Sequence, residues 1–212
     1  MGLNQIYLGL ALHNHQPVGN FPHVFQDAYE KAYLPLVQAL EGHPAVRLSL
    51  HYSGPVWDWL MEAHPDFLGR LSSLHSRGQV ELMTGGYYEP ILPSIPDADK
   101  KGQISRLTDF LQERFSARAT GLWLAERVWE PYLAKPLAEA GVEWTLVDDT
   151  HFKMVGLEEK DLLGYYLTEE QGYSLKVFPS LKRLRYAIPW RDVSEVVAFL
   201  RDMADESATR LA

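Results

Sequence analysis

Five short apolar runs, separated by longer stretches with helical spacing, constrain the fold of this chain more than any other feature: Ile6 to Leu12, Val46 to Tyr52, Gln79 to Thr84, Leu122 to Leu124 and Trp144 to Val147. Between them, apolar residues recur at helical intervals over Val24 to Leu40, Val56 to His75 (broken at Pro65), Asp97 to Phe115 and Tyr132 to Ala140. Runs of strand length alternating with helices predict βαβ units and a parallel sheet, hence an α/β protein. Asp97, following Pro96, is placed to cap the third helix, and Gly141 to end the fourth. After Asp149 the pattern changes. Tyr165 to Thr168 and Tyr173 to Phe178 predict a hairpin across Glu169–Gly172, Arg183 to Ile188 a further strand, and Val193 to Met203 a last helix. The residues from Asp205 to Ala212 read as polar and helix-prone. With 212 residues, no internal repeat and no linker, the chain is expected to form one domain over 1–212.

Composition removes several function classes. A net charge of −8 argues against a nucleic-acid or anionic-membrane partner. No apolar run reaches the ~18 residues that a membrane span needs. The N-terminal M-G-L-N-Q-I-Y-L-G-L lacks the basic start and small-residue cleavage site of a signal peptide. The chain has no cysteine, which excludes disulfides, thiolate metal sites and cysteine nucleophiles, and a cytoplasmic location is expected.

The chemistry collects after the strands. The first run is followed by His13-Asn14-His15-Gln16-Pro17, the second ends in His51-Tyr52-Ser53, and the third leads into Gly85-Gly86-Tyr87-Tyr88-Glu89-Pro90. The fourth leads into Ala125-Glu126-Arg127-Val128-Trp129-Glu130, and the fifth into Asp148-Asp149-Thr150-His151. The segments that return from helix to strand are blander. In α/β barrels the C-terminal strand ends converge on one face, and the active site is built there. His13 and His15, two apart, project to the same side of an extended strand. Such a pair suits hydrogen bonds to a sugar first; backbone-satisfied histidines and zinc ligands are the other readings. His51 reads equally well as the end of a strand. Of Asp148 and Asp149, one is expected to face the site and the other a neighbouring loop.

Glu126 and Glu130 compete for the role of reactive carboxylate. Glu126 directly follows a strand, where a barrel opens. Glu130 precedes Pro131, a residue suited to a first helical turn, where an acid is favourable for electrostatic reasons alone. Arg127 is placed to keep a neighbouring carboxylate ionised. Glu126, held between tryptophans, is therefore the expected nucleophile of a sugar-cleaving site.

These residues resemble glycoside hydrolase family 57, and within it the 4-α-glucanotransferase and α-amylase group. H-N-H-Q-P at 13–17 looks like the family's first motif, G-Q-V-E-L-M-T-G-G-Y-Y-E-P at 78–90 like its second, and W-L-A-E-R-V-W-E-P at 123–131 like its third. V-D-D-T-H-F at 147–152 and L-R-Y-A-I-P at 184–189 also match the group's pattern. The resemblance covers essentially the whole chain. It implies an incomplete (β/α)7 barrel acting on α-1,4-glucans with retention of configuration and without metal or organic cofactor. Glu126 matches the family's nucleophile. His13, His15, Glu89 and Trp123 would line the sugar site, with Asp149 and His151 as further candidates.

One departure stands out. The family's acid/base aspartate belongs to a fourth motif, on a strand beyond the helix that here ends near Met203, and no such motif precedes Ala212. The barrel is therefore expected to lack its C-terminal part, to be weak or inactive by itself, and to self-associate through an open sheet edge. Two rival readings remain. One is a glucan-binding homologue without catalysis. The other is a zinc enzyme like the polysaccharide deacetylases, with His13, His15 and Asp149 as ligands. An α-glucan or maltooligosaccharide is the expected small-molecule partner.

Overall fold

The structure is a computed structural model that describes residues 6–204, 210 and 211. It is a mixed α/β fold with mainly parallel strands. The first apolar run divides into β1 (Ile6–Tyr7) and β2 (Ala11–Asn14). β3 is Leu48–Tyr52, and the third run divides at Met83 into β4 (Val80–Leu82) and β5 (Thr84–Gly85). β6 (Gly121–Trp123) and β7 (Trp144–Asp148) follow where expected. The predicted hairpin is β8 (Tyr166–Glu170) and β9 (Tyr173–Ser180), turning through Gln171 and Gly172, both at positive φ.

β2, β3 and β4 pair in parallel, with His13 opposite His51 and Leu50 opposite Leu82. β5, β6, β7 and β9 form a second parallel run, on which β8 lies antiparallel at the edge. Met83 alone separates β4 from β5, so one chain segment joins the two sheets.

The helices follow their apolar spacing, with local departures. α1 (Pro22–Ala28) and α2 (Leu34–Gly42) form one helical stretch interrupted by a π-turn over Tyr29–Tyr33, where the Leu34 N–H donates to the Tyr29 carbonyl. Pro35, one residue later, has no N–H to continue the regular ladder, and the widened turn accommodates it. α3 (Gly54–Ala63) and α4 (Pro65–Ser76) break at Pro65 as expected. α5 spans Asp97–Phe115, but Asp97 is its first helical residue rather than its cap: Pro96 occupies the cap position, and the Asp97 carboxylate accepts from Lys100 Nζ at 2.6 Å. Pro131 opens a 3₁₀ turn (Pro131–Leu133) that leads into α6 (Ala134–Glu139), and Gly141 at φ 83° ends it as expected. α7 is Asp149–Met154.

Two expectations for the C-terminal part need correction. Arg183 to Ile188, expected as a strand, lies mostly in helix α8 (Lys182–Ala187). Its buried positions Leu181 and Leu184, with half-buried Ile188, recur every three or four residues, which is a helical and not a strand interval. After α9 (Val193–Ala204), which matches the expected last helix, Arg210–Leu211 is not helical but forms β10, parallel to β1. Residues 205–209 and 212 lie outside the described residues.

The core has two centres. One joins β3 and β4 to α2–α5 through Leu50, Tyr52, Trp57, Leu60, Leu71 and Leu107. The other joins β6, β7 and β9 to α6 and α8 through Leu122, Leu137, Val147, Leu175 and Leu184. Together they hold the strand ends that carry the polar clusters. Among the described residues, no helix is long and apolar enough to cross a membrane.

Candidate active site

The parallel register of β2 and β3 sets the first contact. His13 and His51, side by side on neighbouring strands, place their Nδ1 atoms 3.0 Å apart. Asn14 clamps the same strand ends: its side-chain amide donates to the His51 carbonyl at 3.2 Å, and its own carbonyl accepts from Ser53 N–H at 3.0 Å. His15 continues the line, with Nδ1 3.0 Å from Ser53 Oγ.

Glu89 comes to these rings from the loop after β5. It is held at φ 53° by a turn in which its N–H donates to the Gly86 carbonyl at 2.9 Å. One carboxylate oxygen, Oε2, lies 3.4 Å from both His13 Nε2 and His15 Nδ1, and the other, Oε1, lies 3.5 Å from His51 Nδ1. The side chain is only 10% exposed, and Oε1 has no well-aligned hydrogen-bond donor. A buried carboxylate oxygen in that condition keeps a free acceptor position.

Trp123, at the end of β6, forms the floor. Its ring stacks on His13 at 4.5 Å between centroids and 9° between planes. The Arg127 guanidinium lies 5.7 Å from the Trp123 ring centre. Arg127 does not serve Glu126, as expected from adjacency. Its Nε instead lies 2.7 Å from Asp148 Oδ1, an ion pair off the ideal hydrogen-bond axis, and Arg185 shares that carboxylate at 3.3 Å. Glu126 and Arg127 both adopt φ 51°, in the left-handed region of the backbone. Glu126 is left exposed, while Ala125 before it is buried. Non-glycine residues at such φ values are strained, and strain of this kind concentrates at functional sites.

Contacts thus connect all five strand-end clusters: His13 and His15, His51 and Ser53, Glu89, Trp123 and Arg127, and Asp148. Of the predicted site residues, His13, His15, Glu89 and Trp123 come together, and Glu126 sits on the adjoining turn. Asp149 is drawn elsewhere. It is 3% exposed, and its Oδ2 accepts from Lys153 Nζ at 2.8 Å and from the Lys182 backbone N–H at 3.3 Å, at the start of α8. His151 lies on α7, half-buried, and makes no hydrogen bond to this cluster. Ser53 and Arg185 carry no site signal in the sequence; of the pair Asp148 and Asp149, it is Asp148 that reaches the cluster, through Arg127. His51 and Asp148 carry a signal: each lies in the last two residues of its strand, as His13 does.

His51 is completely buried, and its pKa is held well below the ordinary 6.5, first by loss of solvation and then by the neighbouring imidazoles of His13 and His15. It is therefore a neutral ring at neutral pH. For a metal, His13, His51 and Glu89 offer ligand atoms within 4.8 Å of one another. The trio foreseen for zinc, His13, His15 and Asp149, is not assembled, because the Asp149 carboxylate is committed to α8 and Lys153.

The chain has close counterparts among known proteins. The family model for Glycosyl hydrolase family 57 matches residues 9–212. "Alpha-amylase 1" of Dictyoglomus thermophilum is 49% identical over 207 residues, 98% of this chain and 30% of that protein. The 4-alpha-glucanotransferase of Thermococcus litoralis is 41% identical over 99% of this chain and 32% of its own length. The crystal structure of the Thermococcus litoralis 4-alpha-glucanotransferase superposes with a TM-score of 0.94, covering 98% of this chain and 33% of that one. The chain therefore spans about a third of the length of the relatives it matches. With a family match over nearly all its residues, and relatives above forty per cent identity, the chain belongs to glycosyl hydrolase family 57.

Proposed function

We propose that this chain carries the nucleophile and much of the sugar-binding wall of a retaining site for α-1,4-glucans, on a fold read as part of a (β/α)7 barrel. The observation that carries the proposal is the convergence of His13, His15, Glu89 and Trp123 at strand ends beside the strained turn bearing Glu126. An aromatic floor with a buried, partly unpaired carboxylate suits a sugar ring, which presents apolar C–H faces and hydroxyls around its edge. The names of the relatives, alpha-amylase and 4-alpha-glucanotransferase, support the same substrate class.

In the proposed reaction the Glu126 carboxylate attacks the anomeric carbon. The bond from that carbon to the bridging oxygen breaks, and the departing sugar takes a proton from an acid. Water (hydrolysis) or a sugar hydroxyl (transfer) then displaces Glu126, and the two inversions give net retention. A retaining pair of carboxyls stands about 5–5.5 Å apart. The family resemblance assigns the proton donor to an aspartate beyond the last helix, and none of the residues through Leu211 matches that motif. β10, beside β1, occupies the position in the chain at which that strand is due.

A 5-fluoro α-glucosyl fluoride tests the nucleophile separately, because fluoride leaves without a proton. The expected result is a covalent sugar on the peptide containing Glu126, found by mass spectrometry and absent from Glu126→Gln. A folded protein that forms no adduct, or one on another residue, would overturn the assignment.

A further inference from the structure

The two imidazoles that meet at 3.0 Å, His13 and His51, can hold only one hydrogen between their Nδ1 atoms when both rings are neutral. Either His51 donates and His13 accepts, or the reverse. Three observations separate these cases. First, the other nitrogen of His51, Nε2, is buried and finds no partner among the described residues. If His51 accepted at Nδ1, its proton would sit on Nε2 as an orphaned buried donor; if it donates, Nε2 is only an unfilled lone pair. Orphaned buried N–H groups are the rarer and costlier of the two. Second, Glu89 Oε1 lies 3.5 Å from His51 Nδ1, and a carboxylate oxygen beside that atom favours N–H over a lone pair. Third, Nε2 is pressed against Gly85, where even an added Cβ would come within 2.6 Å, so the ring has no room to swing that edge toward another partner.

We propose that His51, which has no exposed surface of its own, is a positioning residue that fixes the tautomer of His13: bare at Nδ1 and protonated at Nε2. His13 then presents an N–H to Glu89 Oε2, 3.4 Å away, and to a sugar hydroxyl entering beside Trp123. Without His51 only the Glu89 carboxylate, 3.4 Å from Nε2, would bias the ring, and the part of the population protonated at Nδ1 would offer that hydroxyl a lone pair instead of a proton. The carbohydrate half of this inference rests on the proposed function; the tautomer assignment does not.

The test is a two-bond proton–nitrogen correlation spectrum of the protein labelled with nitrogen-15 histidine, at about pH 8, above the ordinary histidine range. The expected spectrum shows His13 bare at Nδ1 and protonated at Nε2, and His51 protonated at Nδ1. The reverse pattern would overturn the inference. Two variants extend the test. His51→Asn returns a donor close to the position of Nδ1 and is expected to keep the His13 pattern. His51→Leu removes the donor and is expected to give averaged His13 nitrogens, with glucosyl transfer to Glu126 slowed about tenfold, the scale of one well-placed hydrogen bond. An unchanged His13 pattern and rate in a folded His51→Leu protein would overturn the positioning role. Should that variant fail to fold, the wild-type spectrum and the Asn variant still decide the assignment. A wild type that shows the expected tautomers but forms no adduct would count against the carbohydrate reading and leave the His51–His13 assignment standing.

Discussion

Gly85 and His51 share one small volume, and that sharing decides much about the site at the level of residues. The packing leaves no place for a side chain at 85, because any Cβ would meet His51 Nε2 at 2.6 Å and the Trp123 carbonyl at 3.2 Å. The reason for glycine at 85 is close approach, which is visible only once three strands stand side by side. His51 was ambiguous for the same cause, since full burial against His13 and Glu89 is a tertiary fact. The ring makes stability pH-dependent. Its pKa in the folded protein lies below that of the unfolded chain, so the unfolded state binds the proton more readily as pH falls. Its contribution is complete above about pH 6.5 and is lost progressively on acidification below that value. Urea midpoints measured from about pH 7 down to about pH 5 should fall in the wild type, and more shallowly in His51→Asn. Parallel slopes would show that His51 does not carry the effect.

At the scale of elements, legibility followed periodicity. Helices α3, α4, α5 and α9 lie close to their predicted positions because each repeats its apolar spacing over several turns, and β3, β6 and β7 because each is a short apolar run set between helices. Errors arose where one residue controls the outcome. Pro35 turns an otherwise regular helix into a π-turn at Tyr29–Tyr33, and Pro96 displaces Asp97 from the cap. The segment 183–188 looked extended because Tyr186, Ala187 and Ile188 form an apolar run. The helical spacing of Leu181 and Leu184 prevailed, helped by the Asp149 carboxylate at the start of α8. That contact gives Asp149 a structural task. Asp149→Ala should cost about 1 kcal/mol, the usual net worth of a hydrogen bond, since both donors, Lys153 Nζ and the Lys182 N–H, belong to exposed residues. It should loosen α8, read as faster hydrogen exchange at residues 182–187, while the Glu126 adduct still forms. Loss of the adduct with stability unchanged would return Asp149 to the sugar site.

For the whole molecule, the alternation of strands and helices was enough to predict the α/β class and the side of the sheet on which chemistry collects. The pairing of β10 with β1 was not legible, since two residues of strand carry no periodicity. Among the described residues, β2 pairs only with β3, and β8 forms the far edge of the five-stranded sheet. Between β2 and β9 lie two apolar-lined cavities, of about 220 and 260 Å³, that share Gly9, Leu10, Ala11, Leu146 and Pro179. Unpaired strand edges beside apolar space promote association. Residues 1–212 expressed alone should therefore run larger than the 24.2 kDa of one copy in multi-angle light scattering. A monodisperse monomer would refute this. The β1–β10 pair also imposes a timetable on synthesis. Ile6 has its partner in Arg210, about two hundred residues later, so at ~5–20 residues per second β1 leaves the ribosome roughly 10–40 s before its neighbour exists. β2 waits for β3 only a small fraction of that time. β1 therefore stays without its partner strand while about two hundred further residues are made, and it is a segment on which a ribosome-associated chaperone would have a long hold.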